Sequence, residues 1–157
     1  MTPGPAFLSW LGQALVVALG WYVVDRLSAG RDRDRARREA VIKAADELSG
    51  AISKLLADAR AYHSAIRNIN AELLIKLLTQ DISLQLSALS EIVSNTSLLA
   101  QCRSKVVTLR RTITGKHFED EHLEPLMDGD QQHQEIAEAA LDLKRVLLRM
   151  RHHQFAL

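Results

Sequence analysis

The side chains best suited to chemistry cluster in one stretch, His117-Phe118-Glu119-Asp120-Glu121-His122, which runs on to Glu124, Asp128 and Asp130. Imidazole and carboxylate are ligands for zinc, manganese or iron, so His117, Glu119, Glu121 and His122 are the candidate metal ligands. Their spacing follows no zinc pattern and no cysteine stands beside them. The electrostatic alternative is a solvated acidic loop paired with Arg103, Lys105, Arg110 and Arg111 on the preceding segment. That alternative is preferred, and no metal or other cofactor is expected.

A second group lies near the C-terminus, where His152 and His153 follow Arg145, Arg149 and Arg151. Cations in the last turn of a helix interact favourably with its dipole, which accounts for them without a catalytic role. An arginine with a histidine a few residues beyond it also resembles the active-site motif of the nuclease family known as HEPN, itself a small helical bundle. Arg145 with His152 has this spacing, as do Arg110 or Arg111 with His117, the latter pairs across Gly115. The resemblance implies a membrane-tethered ribonuclease effector of bacterial antiviral type, with Arg145, His152, Arg111 and His117 as its catalytic candidates.

Other enzyme signatures are missing. There is no glycine-rich phosphate loop, no G-x-S-x-G, and no Cys-His arrangement with an orienting third group. Outside residues 6–24 the aromatic side chains are Tyr62, Phe118 and Phe155, too few for stacking on nucleic acid, which is not an expected partner. The single cysteine, Cys102, falls at helical spacing with Leu98, Leu99, Val106 and Leu109 and reads as core.

The elements that must position these groups are helices. Val41, Ala45, Leu48, Ile52, Leu55, Ala59, Tyr62, Ile66, Ile69 and Leu73 alternate steps of four and three, the pattern of a long amphipathic helix. That register fails at Lys76 and Gln80, where Leu74, Leu78, Ile82, Leu86, Leu89 and Val93 take over, so a break is expected near Asn68 to Asn70. Ser94-Asn95-Thr96-Ser97 supplies the next cap, and Leu99, Cys102, Val106, Leu109 and Ile113 carry a third seam that stops at Gly115. Asp130 can cap a last helix with seam Ile136, Ala140, Leu143, Leu147 and Met150. The expected helices are about 41–68, 70–94, 97–114 and 131–153, with an acidic loop at 115–130. No alternating β pattern of useful length occurs. The fold class is therefore all-α, an antiparallel bundle of three to four helices.

Ahead of the bundle stand residues 6–24, nineteen positions without a charge. As a helix they span about 28 Å, close to the hydrocarbon core of a bilayer. They read as a single transmembrane helix after a short extracytoplasmic start at 1–5. Trp10, Trp21 and Tyr22 lie toward its ends, where amphipathic rings favour the interface. Arg26, Arg31, Arg33, Arg35, Arg37 and Arg38 follow it in a basic stalk, 25–40, and no Lys or Arg precedes it, so the N-terminus is expected outside and the bundle in the cytoplasm. Gly30 is the one residue expected to bend the stalk. A cleaved signal peptide fits less well, since no basic region precedes the apolar run.

Ser9, Gly12, Gln13 and Gly20 fall within roughly a 100° sector of the span and form a candidate contact face, because small residues allow close approach and an amide gains from a neighbour in hydrocarbon. The expected protein is a non-enzymatic, self-associating protein of the bacterial inner membrane. It would act as a membrane effector, possible pore formation included, or as a scaffold for a cytosolic protein. A phage lysis protein with a periplasmic coiled coil is the alternative that requires the opposite topology.

Overall fold

The computed structural model describes the backbone of residues 5–115, 118–120, 124–127 and 129–153, and the side chains of these from residue 30 onward together with Arg26. The described residues hold four α-helices and no strand: α1 (Pro5–His63), α2 (Ile69–Ile92), α3 (Thr96–Thr114) and α4 (Gln131–His153). The chain divides into two compact units, Met1–Glu39 and Ala40–Leu157.

In the first unit α1 starts at Pro5, where the missing N–H would be unpaired in any first turn. The helix runs unbroken through Gly30. Arg26, Arg31, Arg33, Arg35, Arg37 and Arg38 are all exposed. Among the described residues no helix is long and apolar enough to cross a membrane. The expected span at 6–24, with its contact residues Ser9, Gly12, Gln13 and Gly20, lies outside the residues whose side chains are described. The structure thus lends the transmembrane helix no support.

In the second unit the seam from Val41 to Tyr62 is buried throughout, each member within a few per cent of full burial. The antiparallel order follows from polar contacts across the bundle. Arg151 donates to Asp46 at 3.1 Å, Lys144 to Ser53 at 2.6 Å, and Ser64 meets His133 at 3.2 Å. As the number rises through 46 and 53 in α1 to 64 just past its end, the α4 number falls by the same steps of seven and eleven, so the two run antiparallel in fixed register. Lys105 of α3 pairs with Asp142 of α4 at 2.6 Å, and short connections make α1–α2 and α2–α3 hairpins. The result is an up-down-up-down bundle.

The expected long seam fails beyond Tyr62. Ile66, Ile69 and Leu73 are 80%, 71% and 56% exposed, because α1 ends at His63 rather than near residue 68. Ser64 N–H bonds the Arg60 carbonyl at 3.0 Å, and the Asn68 side chain then accepts from the N–H groups of Asn70 and Ala71, opening α2 with a new rotation. In α2 the expected set is right from Ile82 onward, but Ile75 and Thr79 occupy the core where Leu74 and Leu78 were expected. Leu74 is exposed and Leu78 packs only at the core edge.

The third and fourth seams are buried at every expected position. Asn95 caps α3 through Leu98 N–H at 3.0 Å, and Asp130 caps α4 through Gln132 N–H at 3.1 Å. Gly115 ends α3 with φ −83°, so room rather than a left-handed backbone is what it supplies. A Cβ there would lie 2.7 Å from the Arg111 carbonyl oxygen. Gly115→Ala is therefore expected to lower stability by about 1 kcal/mol in urea titration, since the backbone itself must shift.

Candidate functional site

The end of the bundle where α1 turns into α2 carries the densest polar network. Tyr62, at 2% exposure, donates its hydroxyl to Glu72 Oε1 at 3.0 Å and accepts from the Glu119 N–H at 3.2 Å. Arg67, in the connection between the helices, donates its Nε to the same Glu72 oxygen at 2.7 Å. The guanidinium hydrogen bond, followed by smaller contributions, holds the Glu72 carboxyl below its ordinary value against the opposing effect of burial. Burial pushes the Tyr62 hydroxyl up. An ionised carboxylate already occupied by a phenol and a guanidinium is a structural clamp rather than a free base.

Glu119 extends this clamp. It is a non-glycine residue with φ 68°, held by its N–H on Tyr62 and by its carboxylate on Lys76 of α2. Such a backbone costs on the order of 1–2 kcal/mol and persists because both ends are tied. Phe118 packs on Tyr62 with ring centroids 5.2 Å apart, and the Lys76 ammonium lies 5.9 Å from the Phe118 centroid.

Lys76, Phe118 and Glu119 close one end of a groove of about 740 Å³ between α2 and α3, with Gln80, Leu84 and Arg110 along its walls. A smaller hollow of about 170 Å³ shares Ser83 and Ser87 with it and adds Arg103 and Val107, so the depression follows the helix pair. Three of its hydroxyls are committed to backbone carbonyls: Thr79 bonds Ile75 O at 2.8 Å, Ser83 bonds Thr79 O at 2.9 Å and Thr114 bonds Arg110 O at 2.9 Å. Among the described residues no histidine lines the groove to activate them. On the outer side of α2, Ile69, Leu73, Leu77 and Leu84 fall within about 80° of one another and are all exposed.

The expected site residues are dispersed. His117, Glu121 and His122 lie outside the described residues, and Glu119 is engaged by Lys76. Among the described residues no group of three or more His, Cys, Asp or Glu could hold a metal ion. Arg111 borders a shallow α3/α4 hollow with Gln132 and Glu135. Arg145 and His152 share an exposed face of α4 two turns apart, and Arg145 donates to Asp142 at 2.9 Å. Neither lines any of the hollows described here. Of the residues in the expected pairing of the acidic loop with α3, Glu119 bonds Lys76 of α2 and Lys105 bonds Asp142 of α4, while Glu121 and Asp128 lie outside the described residues. Cys102 is fully buried, and burial pushes its thiol up to about 11, which leaves it inert at neutral pH.

Two buried histidines escaped sequence reasoning. His63 donates Nε2–H to the Ile113 carbonyl at 3.1 Å, and His133 meets the Ser64 hydroxyl at 3.2 Å. The groove itself had a signal in the sequence: Lys76 and Gln80, the two residues that break the apolar seam, stand on its wall. Comparison of the chain with protein-family models, with curated proteins and with solved structures found no match.

Proposed function

We propose that this chain is a membrane-anchored, self-associating helical protein that serves as a scaffold, not an enzyme. The observation that carries the reading is the apolar ridge on the outer face of α2, where Ile69, Leu73, Leu77 and Leu84 are exposed in a line. Large exposed apolar side chains aligned in this way on a small bundle favour an association surface. The anchor rests on the uncharged stretch at 6–24 and the arginines after it, with Gln13, Ser9, Gly12 and Gly20 as the membrane contact and the bundle on the cytoplasmic side of a bacterial inner membrane. The lack of a hollow beside Arg145 and His152 among the described residues, and the occupied Glu72 clamp, favour binding over catalysis.

The test is the oligomer mass of the intact protein in neutral detergent. Leu73→Lys with Leu77→Lys, both at exposed positions, should leave the helical signal intact and reduce the mass toward one protomer; Gln13→Leu should weaken assembly less. An unchanged mass in all variants removes the basis for self-association. Dye leakage from vesicles carrying the protein would replace the scaffold with a pore.

A further inference from the structure

The groove between α2 and α3 adds to the apolar character it shares with the ridge at Leu84 a pair of guanidiniums that the ridge lacks. Its walls carry exposed apolar side chains, Leu84 and Val107, beside the Phe118 ring. They also carry two exposed guanidiniums, Arg103 and Arg110, that have no hydrogen-bond or ion-pair partner among the described residues. Two neighbouring cations are engaged instead, Lys76 by Glu119 and Lys105 by Asp142. Arg103 and Arg110 are seven positions apart on α3, so they stand on one face about 10 Å from each other. The α2 wall from Lys76 to Ser87 is about 16 Å long, room for three turns of a helix laid along it.

We propose that this groove docks an acidic amphipathic helix of a partner protein, its apolar edge on Leu84 and Val107 and two carboxylates, two turns apart, on Arg103 and Arg110. Charge complementarity selects the occupant. Paired carboxylates on a helix repeat at the same two-turn interval as the guanidiniums, and Arg takes carboxylate in bidentate geometry. A nucleic acid would need open aromatic faces, and Phe118 already spends one face on Tyr62. A flat lipid surface does not follow a channel between two helices. The proposal shares Leu84 with the ridge and is distinguished from self-association by Arg103 and Arg110 on α3.

The experiment uses the full chain in neutral detergent and a fluorescein-labelled helical peptide of about 18 residues, with glutamates seven apart beside a leucine stripe. Anisotropy should show saturable binding that weakens as salt rises. Arg103→Glu with Arg110→Glu should reduce affinity at least about tenfold, while the double glutamine variant reduces it less; both positions are exposed, so the melting curve and oligomer mass should not change. Equal binding by wild type and the glutamate variant, or equal binding of a peptide with lysine in place of glutamate, overturns the proposal. So does loss of oligomer mass in the arginine variants, which would make the groove a contact between copies. Displacement of the peptide by phosphatidylglycerol micelles through the same two arginines would assign them to lipid instead. Loss of mass on Leu73→Lys with Leu77→Lys, with peptide binding retained, separates the two surfaces.

Discussion

Glu72→Ala is expected to cost the bundle about 3 kcal/mol, measured as a lower urea midpoint at unchanged slope. Glu72 is 5% exposed and receives both the Tyr62 hydroxyl and the Arg67 guanidinium. Deleting it leaves a phenol donor without its acceptor and a guanidinium, 26% exposed, without its carboxylate. Removing one member of a buried charged pair costs about 3–5 kcal/mol, and the partial exposure of Arg67 sets the expectation at the lower end. Glu72 also stands in the first turn of α2, where a negative charge complements the helix dipole. Tyr62→Phe removes a neutral hydroxyl that donates to Glu72 and accepts from the Glu119 N–H, and should cost about 1–2 kcal/mol.

The pH dependence of this clamp has a definite sign. The folded carboxyl titrates below its ordinary value of 4.5, so its contribution is fully present above that pH and is lost as the pH falls through the depressed folded value. The stability difference between the wild type and Glu72→Gln should therefore be constant near neutrality and shrink progressively below about pH 4.5. A difference that grew on acidification would contradict the assignment.

His63→Ala is expected to be the most damaging single change, at about 4 kcal/mol. The imidazole is fully buried, packs edge-on against Tyr62 with centroids 5.1 Å apart, and donates to the Ile113 carbonyl in the last turn of α3. Alanine opens a cavity and orphans that carbonyl, and large-to-small changes in a core cost about 2–5 kcal/mol before the lost hydrogen bond is counted. The backbone of His63 also accepts from Leu126 N–H at 2.8 Å, so the damage should reach the chain beyond α3. Amide exchange at Ile113 and Leu126 should accelerate more than exchange at Leu143, deep in α4. His63→Gln, which keeps a donor near the same place, should recover roughly half of the loss.

What could be read in advance follows a physical division. The seams of α3 and α4 and the α1 seam up to Tyr62 are local periodicities, and each produced the burial that its spacing required. The seam went wrong at Ile66, Ile69 and Leu73 because apolar residues continue at helical spacing straight through a turn that has no glycine or proline, with Asn68 as its only punctuation. Within Leu73-Leu74-Ile75-Lys76-Leu77-Leu78 every rotation of the helix offers an apolar face, and packing against the other helices chose Ile75. The clamp joins Tyr62, Glu72 and Glu119 across gaps of ten and 57 positions, and no periodicity encodes those contacts. The Arg and His candidates came from spacing alone, and spacing says nothing about whether a cleft stands beside them.

Tyr62 also has a spectroscopic consequence. The chain has two tyrosines, Tyr22 and Tyr62, and two tryptophans, Trp10 and Trp21, so Tyr62 is the only one of the four beyond residue 39. Its ring is buried between His63 and Phe118. Indole emission, excited where phenols do not absorb, reports the first unit alone. The part of the near-ultraviolet dichroism that Tyr62→Phe removes reports the second, so changes in one unit can be followed against the other without adding a label.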